Sequence, residues 1–582
     1  MGLAQRVAAA RGERPAELVL RNGRICSVIT GELLDCEVAV QDGHVVALGN
    51  GYRGQVEHDL AGAVVVPGLI DGHMHLESTM LGLVEFSRAV VPHGTTCVVL
   101  DPHEFANVLG VDGIRHLLAN GRGLPLDAFV MLSSCVPASA FESPRQPLEA
   151  ADLLPLLDED RVLGLAEVMD VAGVLAGAEP VLAKIAATLD RGGLVDGHAP
   201  GLGGRDLCAY AAAGIMSDHE ATTAEEARER LRLGMWLMVR EGSAARNLAA
   251  LLPVLRELRP ARALFCTDDR DPEDLLERGH IDAVVRQAIA GGLDPVDAVR
   301  CATVQPAQYF GLRDRGVVGP GHRADLCVVD GLETFAVQAV YKDGVRVAEA
   351  GRPCFPVMAA ATGPPAAPDG GDDRHGHGSV RIRRMGREAL RIPGRPGSAS
   401  VIGVRDGDLF TSHLLEAAPV RDGELVADPG RDLLKMAVVE RHHGTGRVGL
   451  GLVRGIGLCR GAIASTVAHD AHNLVVVGVD DDDLLCAIEQ VVRQRGGLAV
   501  ASGGSVLAAV PLPVAGLVSR QPAAAVAAQL RGLDRAVAEL GCGLRRPAMT
   551  LSFLCLSVIP ELKLTDRGLV DVTAGRIVPI QG

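Results

Sequence analysis

The sequence predicts an α/β protein built around a (β/α)₈ barrel. Eight apolar runs typical of buried strands alternate with segments of helical composition within about 250 residues, the usual length of such a barrel. Polar residues follow the end of each run, and barrel active sites form at the carboxyl ends of the strands. We therefore expect a barrel over residues 67–316 with a functional site at that end.

The first candidate strand is an uncharged run that begins at Val64 and leads into His73-Met74-His75. Helical segments lie between the runs, for example Ala224–Leu233, whose residues are good helix formers. The eight candidate strands are 64–75, 95–104, 128–138, 162–169, 194–201, 215–220, 236–243 and 264–269.

The segments on either side of the barrel read as short strands and hairpins, with turn signals such as Asn22-Gly23 and Asp343-Gly344. We expect residues 1–66 and 317–356 to form one β unit, because the ends of an inserted domain tend to lie close together. A segment rich in Ala, Pro, Gly and Asp predicts a linker over 357–389, and 390–582 reads as a further α/β domain.

Composition excludes several classes of function. The net charge of −15 argues against nucleic acid as a partner, since phosphate binding needs a basic surface. The 13 cysteines are odd in number and contain no Cys-x-x-Cys pair, which is typical of reduced thiols in the cytoplasm. The N-terminus has no signal-peptide core, and the uncharged stretch Gly497–Ser519 contains glycines and prolines that favour a buried strand–turn–strand over a membrane span. We expect a soluble, cytoplasmic protein.

Ligand-type side chains follow five of the candidate strands. His73 and His75 are separated by one residue, so in a strand both point to the same face. Four imidazoles and two carboxylates at one end of a barrel suit two divalent cations such as Zn²⁺, Mn²⁺ or Fe²⁺, which together can activate a water molecule. The predicted metal ligands are His73, His75, Glu167, His198, His219 and Asp268.

This ligand pattern resembles the amidohydrolase superfamily, and Glu167 resembles the bridging glutamate that a minority of its members use. Longer stretches resemble the bacterial adenine deaminases within that superfamily, among them PGLIDGHMHLEST, DGHAPGLGGRDLCAY and LSFLCLSVIPELKLTD. The resemblance runs from about residue 64 to near the end of the chain. It departs from the family pattern at Thr79, where serine is usual, and at Gln305, where asparagine is usual.

The resemblance implies a metal-dependent barrel flanked by a β-sandwich from both ends of the barrel segment. It further implies hydrolysis of adenine to hypoxanthine and ammonia in purine salvage, with Mn²⁺ or Fe²⁺ as the metals and a homo-oligomer, for which we expect a dimer. Asp268 is then the catalytic group that takes a proton from the attacking hydroxide and passes it to the leaving group. Glu77 is a candidate to protonate or hold the purine ring.

Four more residues at strand ends are candidate substrate contacts: His103, Glu104, Arg240 and Glu241. Alternatives stay open for several side chains. Glu77 could instead support a histidine ligand, and Arg240 could pair with Glu241. His469 and His472 could cap the barrel mouth or serve local packing.

Two other functions remain open. The chain could be another amidohydrolase, acting on a different aminopurine or a cyclic amide, because the metal ligands do not choose among these substrates. It could also be a catalytically inactive barrel kept for binding, although no metal ligand is missing from the pattern.

Overall fold

A computed structural model describes residues 2–259, 261–356 and 378–581. Most of the predicted linker 357–389, with His375 and His377, lies outside these ranges. In the described parts of the chain, no helix is both long enough and apolar enough to cross a membrane.

The centre of the molecule is a curled sheet of eight parallel strands with helices between them, as expected for a (β/α)₈-type fold. The ring is joined between its fifth and sixth strands where the amide of Met216 donates to the carbonyl of Val195 at 3.2 Å. It closes between the eighth and first strands, where the amide of Asp268 donates to the carbonyl of His73 at 3.0 Å. Closure therefore brings two predicted ligands together.

The barrel strands are Leu69–Met74, Thr95–Leu100, Asp127–Leu132, Val162–Val168, Leu194–Gly197, Ser217–Asp218, Trp236–Arg240 and Ala263–Cys266. The helices of this region are Leu83–Val90, His103–Leu109, Val111–Asn120, Ala150–Leu153, Val171–Ala176, Glu179–Leu189, Gly204–Ala212, Ala224–Arg232, Leu248–Leu258, Pro272–Glu277, Ile281–Ala290, Pro295–Cys301 and Val304–Tyr309.

The predicted first strand, 64–75, is wrong as a single element. Val64–Pro67 pairs with Leu326–Val329 in a flanking sheet, and the barrel strand begins at Leu69. The chain passes from one sheet to the other at Gly68, where a Cβ atom would lie 2.3 Å from the Thr96 hydroxyl. Only glycine leaves room for this close approach.

Most of the other predicted strands extend too far at their carboxyl ends. The second strand ends at Leu100 instead of residue 104, and His103 already begins a helix. The third strand ends at Leu132 instead of residue 138. Apolar composition continues past the last ladder hydrogen bond, so composition alone overestimates strand length. The residues just after these shorter strands lie outside the sheet, and they carry the polar groups of the candidate site.

Two sheets pack beside the barrel and share an apolar core that includes Leu20, Val40, Val65 and Tyr341. One has four strands, Ala16–Arg21, Glu37–Gln41, His44–Gly49 and Gly54–Asp59, and a helix, Gly2–Ala10, packs on it. The other has seven strands, Arg24–Cys26, Leu33–Asp35, Val64–Pro67, Leu326–Val329, Val337–Lys342, Val345–Glu349 and Arg352–Pro353. Segments from before and after the barrel thus meet in one sheet.

The C-terminal region contains an eight-stranded mixed sheet. Its last two strands, Gly497–Ser502 and Ser505–Pro511, form an antiparallel pair, which confirms the strand–turn–strand predicted in that apolar stretch, but the second strand is mostly exposed or half-buried and not buried as expected. The remaining strands of the sheet are Ser398–Gly403, Ser412–Ala417, Leu433–Val439, Val448–Arg454, Ala462–Ser465 and Leu474–Gly478. The small strands are Val420–Arg421, Glu424–Leu425, Leu562–Thr565, Gly568–Asp571 and Arg576–Val578, and the helices are Asp481–Arg493, Ala523–Glu539 and Pro547–Phe553.

A buried ionic cluster joins the barrel to the seven-stranded sheet. Asp127 Oδ2, at the start of the third barrel strand, lies 2.8 Å from Lys342 Nζ and 2.7 Å from Arg315 Nη1. Burial disfavours the ionised carboxylate, but the two cations hold the pKa of Asp127 below its usual value.

We expect Asp127→Asn to lower the free energy of unfolding by about 3 kcal/mol, because it removes a carboxylate that two buried cations share and leaves Lys342 with Asp325 and Arg315 with Asp314. Urea unfolding followed by the fluorescence of Trp236, the only tryptophan, measures the change. Asp314→Asn is the matched control: Asp314 also contacts Arg315, at 2.9 Å, but its side chain is 45% exposed. A loss under about 1 kcal/mol is expected there, and equal losses in the two variants would contradict the prediction.

Candidate metal centre and active site

The six predicted metal ligands lie together at the carboxyl end of the barrel, and all are buried. Glu167, on the fourth strand, is at their centre. Its Oε2 atom lies 2.8 Å from His198 Nδ1 and 3.1 Å from His219 Nε2, and its Oε1 atom lies 3.5 Å from His75 Nε2. The two oxygens of one carboxylate therefore face different histidines, which is the arrangement a bridging ligand needs.

Asp268 completes the other side of the cluster. Its Oδ1 atom lies 3.1 Å from His75 Nε2 and 3.6 Å from His73 Nε2. The His73 ring also stacks on the His219 ring, with centroids 4.3 Å apart. Asp268 has a φ of 55°, a left-handed conformation that is uncommon outside glycine but easier for aspartate than for most residues.

The donor set fits divalent cations. Imidazole nitrogen and carboxylate oxygen are the ligand types that Zn²⁺, Mn²⁺ and Fe²⁺ accept. Nε2 of His73 and Nε2 of His198 are buried and have no hydrogen-bond partner among the described residues. A buried polar atom without a partner costs about 1–3 kcal/mol, so these nitrogens favour a bound group at the site.

The electrostatics of the cluster agree with this fit. Burial disfavours charge on every member, yet His198 and His219 hold the pKa of Glu167 well below its usual value. The nearby rings of His73 and His75, together with the charge of Arg240, do the same for Asp268. Both carboxylates are therefore ionised at neutral pH, as ligands to a cation must be.

A second cluster of polar side chains follows the second strand and adjoins the first. Glu104 Oε1 lies 3.0 Å from His75 Nδ1 and 3.0 Å from His103 Nε2. His103 Nδ1 lies 3.1 Å from Asp101 Oδ2. His75 therefore connects the two clusters, since its two ring nitrogens face opposite sides. The structure brings His103 and Glu104 beside the metal ligands.

Similarity to known proteins agrees with this geometry. Residues 64–347 match the model of the amidohydrolase family, and residues 408–576 match that of the adenine deaminase C-terminal domain. The chain is 47% identical to adenine deaminase 2 of Carboxydothermus hydrogenoformans, over 99% of this chain and 98% of that protein. It is also 47% identical to the adenine deaminase of Desulfatibacillum aliphaticivorans, over 99% of each.

The chain belongs to the adenine deaminase family of the amidohydrolases. A third relative, the adenine deaminase of Methylobacterium sp. strain 4-46, is 45% identical over 99% of both chains. The similarity therefore includes the N-terminal sheets and the C-terminal region as well as the barrel, and it confirms the family that the sequence motifs indicated.

Glu77 lies just behind His75 and is fully buried. Its Oε1 atom is 3.9 Å from His75 Nδ1, farther than the 3.0 Å of Glu104 Oε1. Burial and the nearby charge of Glu104 raise the pKa of Glu77 well above its usual value, which favours its protonated form. The carboxylate nearest to His75 Nδ1 is thus Glu104, and Glu77 lies beside it.

Arg240 pairs with Glu220 and not with Glu241, its neighbour in sequence. Its Nη2 atom donates to Glu220 Oε2 at 2.9 Å, and its Nη1 atom donates to Asp268 Oδ2 at 2.9 Å. The Glu241 carboxylate accepts the amide of Leu248 at 3.2 Å, at the start of the helix that follows. Arg240 therefore lies at the metal cluster, whereas Glu241 binds backbone beyond it.

Sequence reasoning missed Glu220 and Asp101. Glu220 Oε1 lies 3.4 Å from His219 Nε2 and 3.6 Å from His198 Nδ1, as close as several predicted ligand pairs. Glu220 directly follows a predicted ligand, and Asp101 opens the same loop as His103. A search for every carboxylate within two residues of a strand end would have found both.

The C-terminal region contributes side chains to the same place. His469 Nδ1 lies 3.7 Å from Glu104 Oε1, and Asp470 Oδ1 lies 3.4 Å from His103 Nε2. His469 is therefore at the barrel mouth, as one of the two predictions for it proposed. His472 is completely buried behind it.

A buried carboxylate, Glu142, lies at the interface of the barrel with the C-terminal region. Burial and the charge of Asp470 raise the pKa of Glu142 to about 8. Between its ordinary pKa and about 8, the folded chain holds a proton there that the unfolded chain has lost. The contribution of Glu142 to the free energy of unfolding is therefore greatest at low pH, and it falls as the pH rises through that window.

We expect Glu142→Gln to remove this dependence. At pH 8.5 the variant should be more stable than the unsubstituted protein by at least about 1.4 kcal/mol, the equivalent of one pKa unit, and the two should be nearly equal at pH 5. Thermal unfolding at the two pH values measures the difference. Glu149→Gln, at an exposed helix N-terminus, is the control. A stability difference that is independent of pH would contradict the assignment.

Proposed function

We propose that this protein catalyses the hydrolytic deamination of adenine to hypoxanthine and ammonia, as an enzyme of purine salvage. The observation that carries the proposal is the buried cluster in which Glu167 and Asp268 face four histidines, in a chain similar over its whole length to adenine deaminases. The reaction adds water at C6 of the purine and releases the exocyclic nitrogen as ammonia.

Six residues would hold two divalent cations: His73, His75, Glu167, His198, His219 and Asp268. Bound cations of this kind supply a water-derived nucleophile at neutral pH. We propose Mn²⁺ or Fe²⁺, and the same ligands also accept Zn²⁺. The chain's own part is to hold both carboxylates ionised and to keep the histidine rings in place.

Asp268 is the proposed base. Arg240 donates to its Oδ2 atom, so the Oδ1 atom remains directed toward His73 and His75. A carboxylate held in this way accepts the proton that the attacking water loses. It then passes that proton to the exocyclic nitrogen, which leaves as ammonia, and the second proton of the attacking water replaces the one that Glu77 gives to the ring.

Glu77 is the proposed acid toward the ring. An aromatic amidine carbon is a weak electrophile, so addition at C6 needs a proton on the adjacent ring nitrogen. Glu77 has a raised pKa that favours its protonated form, is fully buried, and lies next to His75 without binding it closely. Glu104 beside it is ionised because His103 and His75 outweigh the effect of burial and lower its pKa. The two carboxyl groups thus have different roles, as acid and as histidine support.

His103 and Glu104 are proposed to contact adenine together with Glu77, because buried oxygen and nitrogen atoms of all three have no hydrogen-bond partner among the described residues. A purine offers both donors and acceptors to such groups. Arg240 and Glu241 were predicted as substrate contacts too. Arg240 is proposed here to act through Asp268, and Glu241 stays a prediction at the edge of the site.

The division of the chain into domains is proposed as predicted: 1–66 with 317–356 as a β-sandwich, 67–316 as the barrel, 357–389 as a linker and 390–582 as the C-terminal domain. The two sheets with their shared core support the sandwich. We also propose a cytoplasmic homodimer. All 13 cysteines are free thiols, which supports a reducing compartment.

Ammonia release tests the proposed function directly. The protein, expressed with added Mn²⁺, is assayed with adenine, adenosine and a cyclic amide, and bound metal is counted per chain. Turnover of adenine with two metals per chain is expected. Turnover of another ring with none of adenine would favour a different amidohydrolase, and two bound metals without any turnover would favour an inactive binding scaffold.

A further inference from the structure

A short turn of the C-terminal region, residues 468–473 (the capping turn), reaches the mouth of the barrel. Contacts within the C-terminal region hold this turn in its shape. The amide of His472 donates to the carbonyl of Ala468 at 2.8 Å, and the amide of Ala468 donates to His472 Nδ1 at 3.0 Å. The His469 ring stacks on Phe553, with centroids 5.1 Å apart and planes 13° apart. The turn therefore presents its side chains to the barrel in a fixed arrangement.

Asp470 is the residue of the capping turn that meets the barrel cluster most closely. Only 2% of Asp470 is exposed, and its Oδ1 atom lies 3.4 Å from His103 Nε2. The other ring nitrogen of His103 faces Asp101 Oδ2 at 3.1 Å. His103 Nε2 also lies 3.0 Å from Glu104 Oε1, so the ring stands among these three carboxylates, two from the barrel and one from the C-terminal region. Neither ring nitrogen has a hydrogen-bond partner among the described residues, so the negative charge on both sides of the ring is what favours its orientation.

A third metal ion is a poor explanation for this group of residues. Glu104, His469 and His472 are close enough together to suggest one. However, His472 Nδ1 accepts the amide proton of Ala468. In the neutral ring the proton then lies on Nε2, which has no lone pair for a cation. The capping turn therefore acts on the barrel residues themselves.

We propose that Asp470 is a positioning residue that orients His103 toward adenine, so that the C-terminal region completes the active site. The inference rests on the proposed function, in which His103 contacts the substrate. It follows that loss of the Asp470 carboxylate weakens adenine binding while the metal ligands on the barrel strands stay in place.

Asp470→Ala tests the proposal. Groups that orient a functional side chain are worth about 10–100-fold, so we expect the KM for adenine to rise at least about 10-fold. The number of metals bound per chain should not change, because Asp470 does not approach any of the six proposed ligands. Asp470→Asn keeps one acceptor oxygen in the same position and should recover part of the loss.

Asn473→Ala is the matched control in the same turn. The Asn473 side chain donates to the carbonyl of Ser143 at 3.1 Å, which docks the turn on the barrel. This variant should lower the unfolding temperature while leaving the KM within about threefold of the starting value. The comparison separates docking of the C-terminal region from orientation of His103.

The possible results are distinct. An unchanged KM in Asp470→Ala, an equal rise in KM in Asn473→Ala, or a loss of metal in Asp470→Ala would each overturn the inference. If the unsubstituted protein does not turn over adenine at all, the proposed function fails first. The inference about Asp470 fails separately if adenine is turned over and the Asp470 variants behave like the starting protein.

Discussion

Asp268→Asn is expected to lower kcat for adenine by at least about 10³-fold, within the range that a general base contributes. The asparagine keeps the shape of the side chain and its contact with Arg240 but cannot accept a proton from water. The variant should fold, because the backbone hydrogen bonds that close the barrel at this residue are unchanged. Steady-state kinetics together with metal analysis measure the effect.

Asp269→Asn is the control for this variant. Asp269 is the next residue and is also buried, but its carboxylate accepts a hydrogen bond from Ser78 and forms no ion pair with a proposed metal ligand in the described part of the chain. A fall in kcat of less than about tenfold is expected there. If Asp268→Asn keeps a tenth or more of the starting kcat with both metals bound, Asp268 is a metal ligand and not the base.

The paired variants Glu77→Gln and Glu104→Gln should impair the enzyme differently, the first by lowering kcat and the second by lowering metal affinity. Glu77→Gln removes the proposed ring acid, so kcat should fall about 10²–10⁴-fold while the metals stay bound. Glu104→Gln removes the carboxylate 3.0 Å from His75 Nδ1, so metal affinity should fall about 10–100-fold. Competition with a chelator measures metal affinity separately from activity.

Each member of the pair controls for the other. The two side chains have the same length, are equally buried and differ in their distance to His75 Nδ1 by 0.9 Å, from 3.9 to 3.0 Å. If Glu77→Gln releases metal and Glu104→Gln does not, the assignment is reversed. If both variants lose activity with their metals retained, the two carboxyl groups act as one proton-sharing unit.

Local patterns in the chain were enough to predict the barrel and to select six side chains that the structure brings together at one of its ends. Buried parallel strands require continuous apolar runs, and these strands must end in polar groups where a site forms, so both features are visible without coordinates. The spacing of His73 and His75 also places them on one face of a strand. The roles of these residues rest on the resemblance and the experiments proposed above.

Such patterns could not predict the contacts between different segments of the chain. The pairing of Arg240 with Glu220, the choice of Glu104 over Glu77 beside His75, and the approach of Asp470 to His103 all join different strands or domains. Each depends on side-chain direction and on how the C-terminal region packs on the barrel. Periodicity and composition describe neighbours along the chain, whereas packing selects partners that can be 20 residues apart, as Arg240 and Glu220 are, or more than 300, as Asp470 and His103 are.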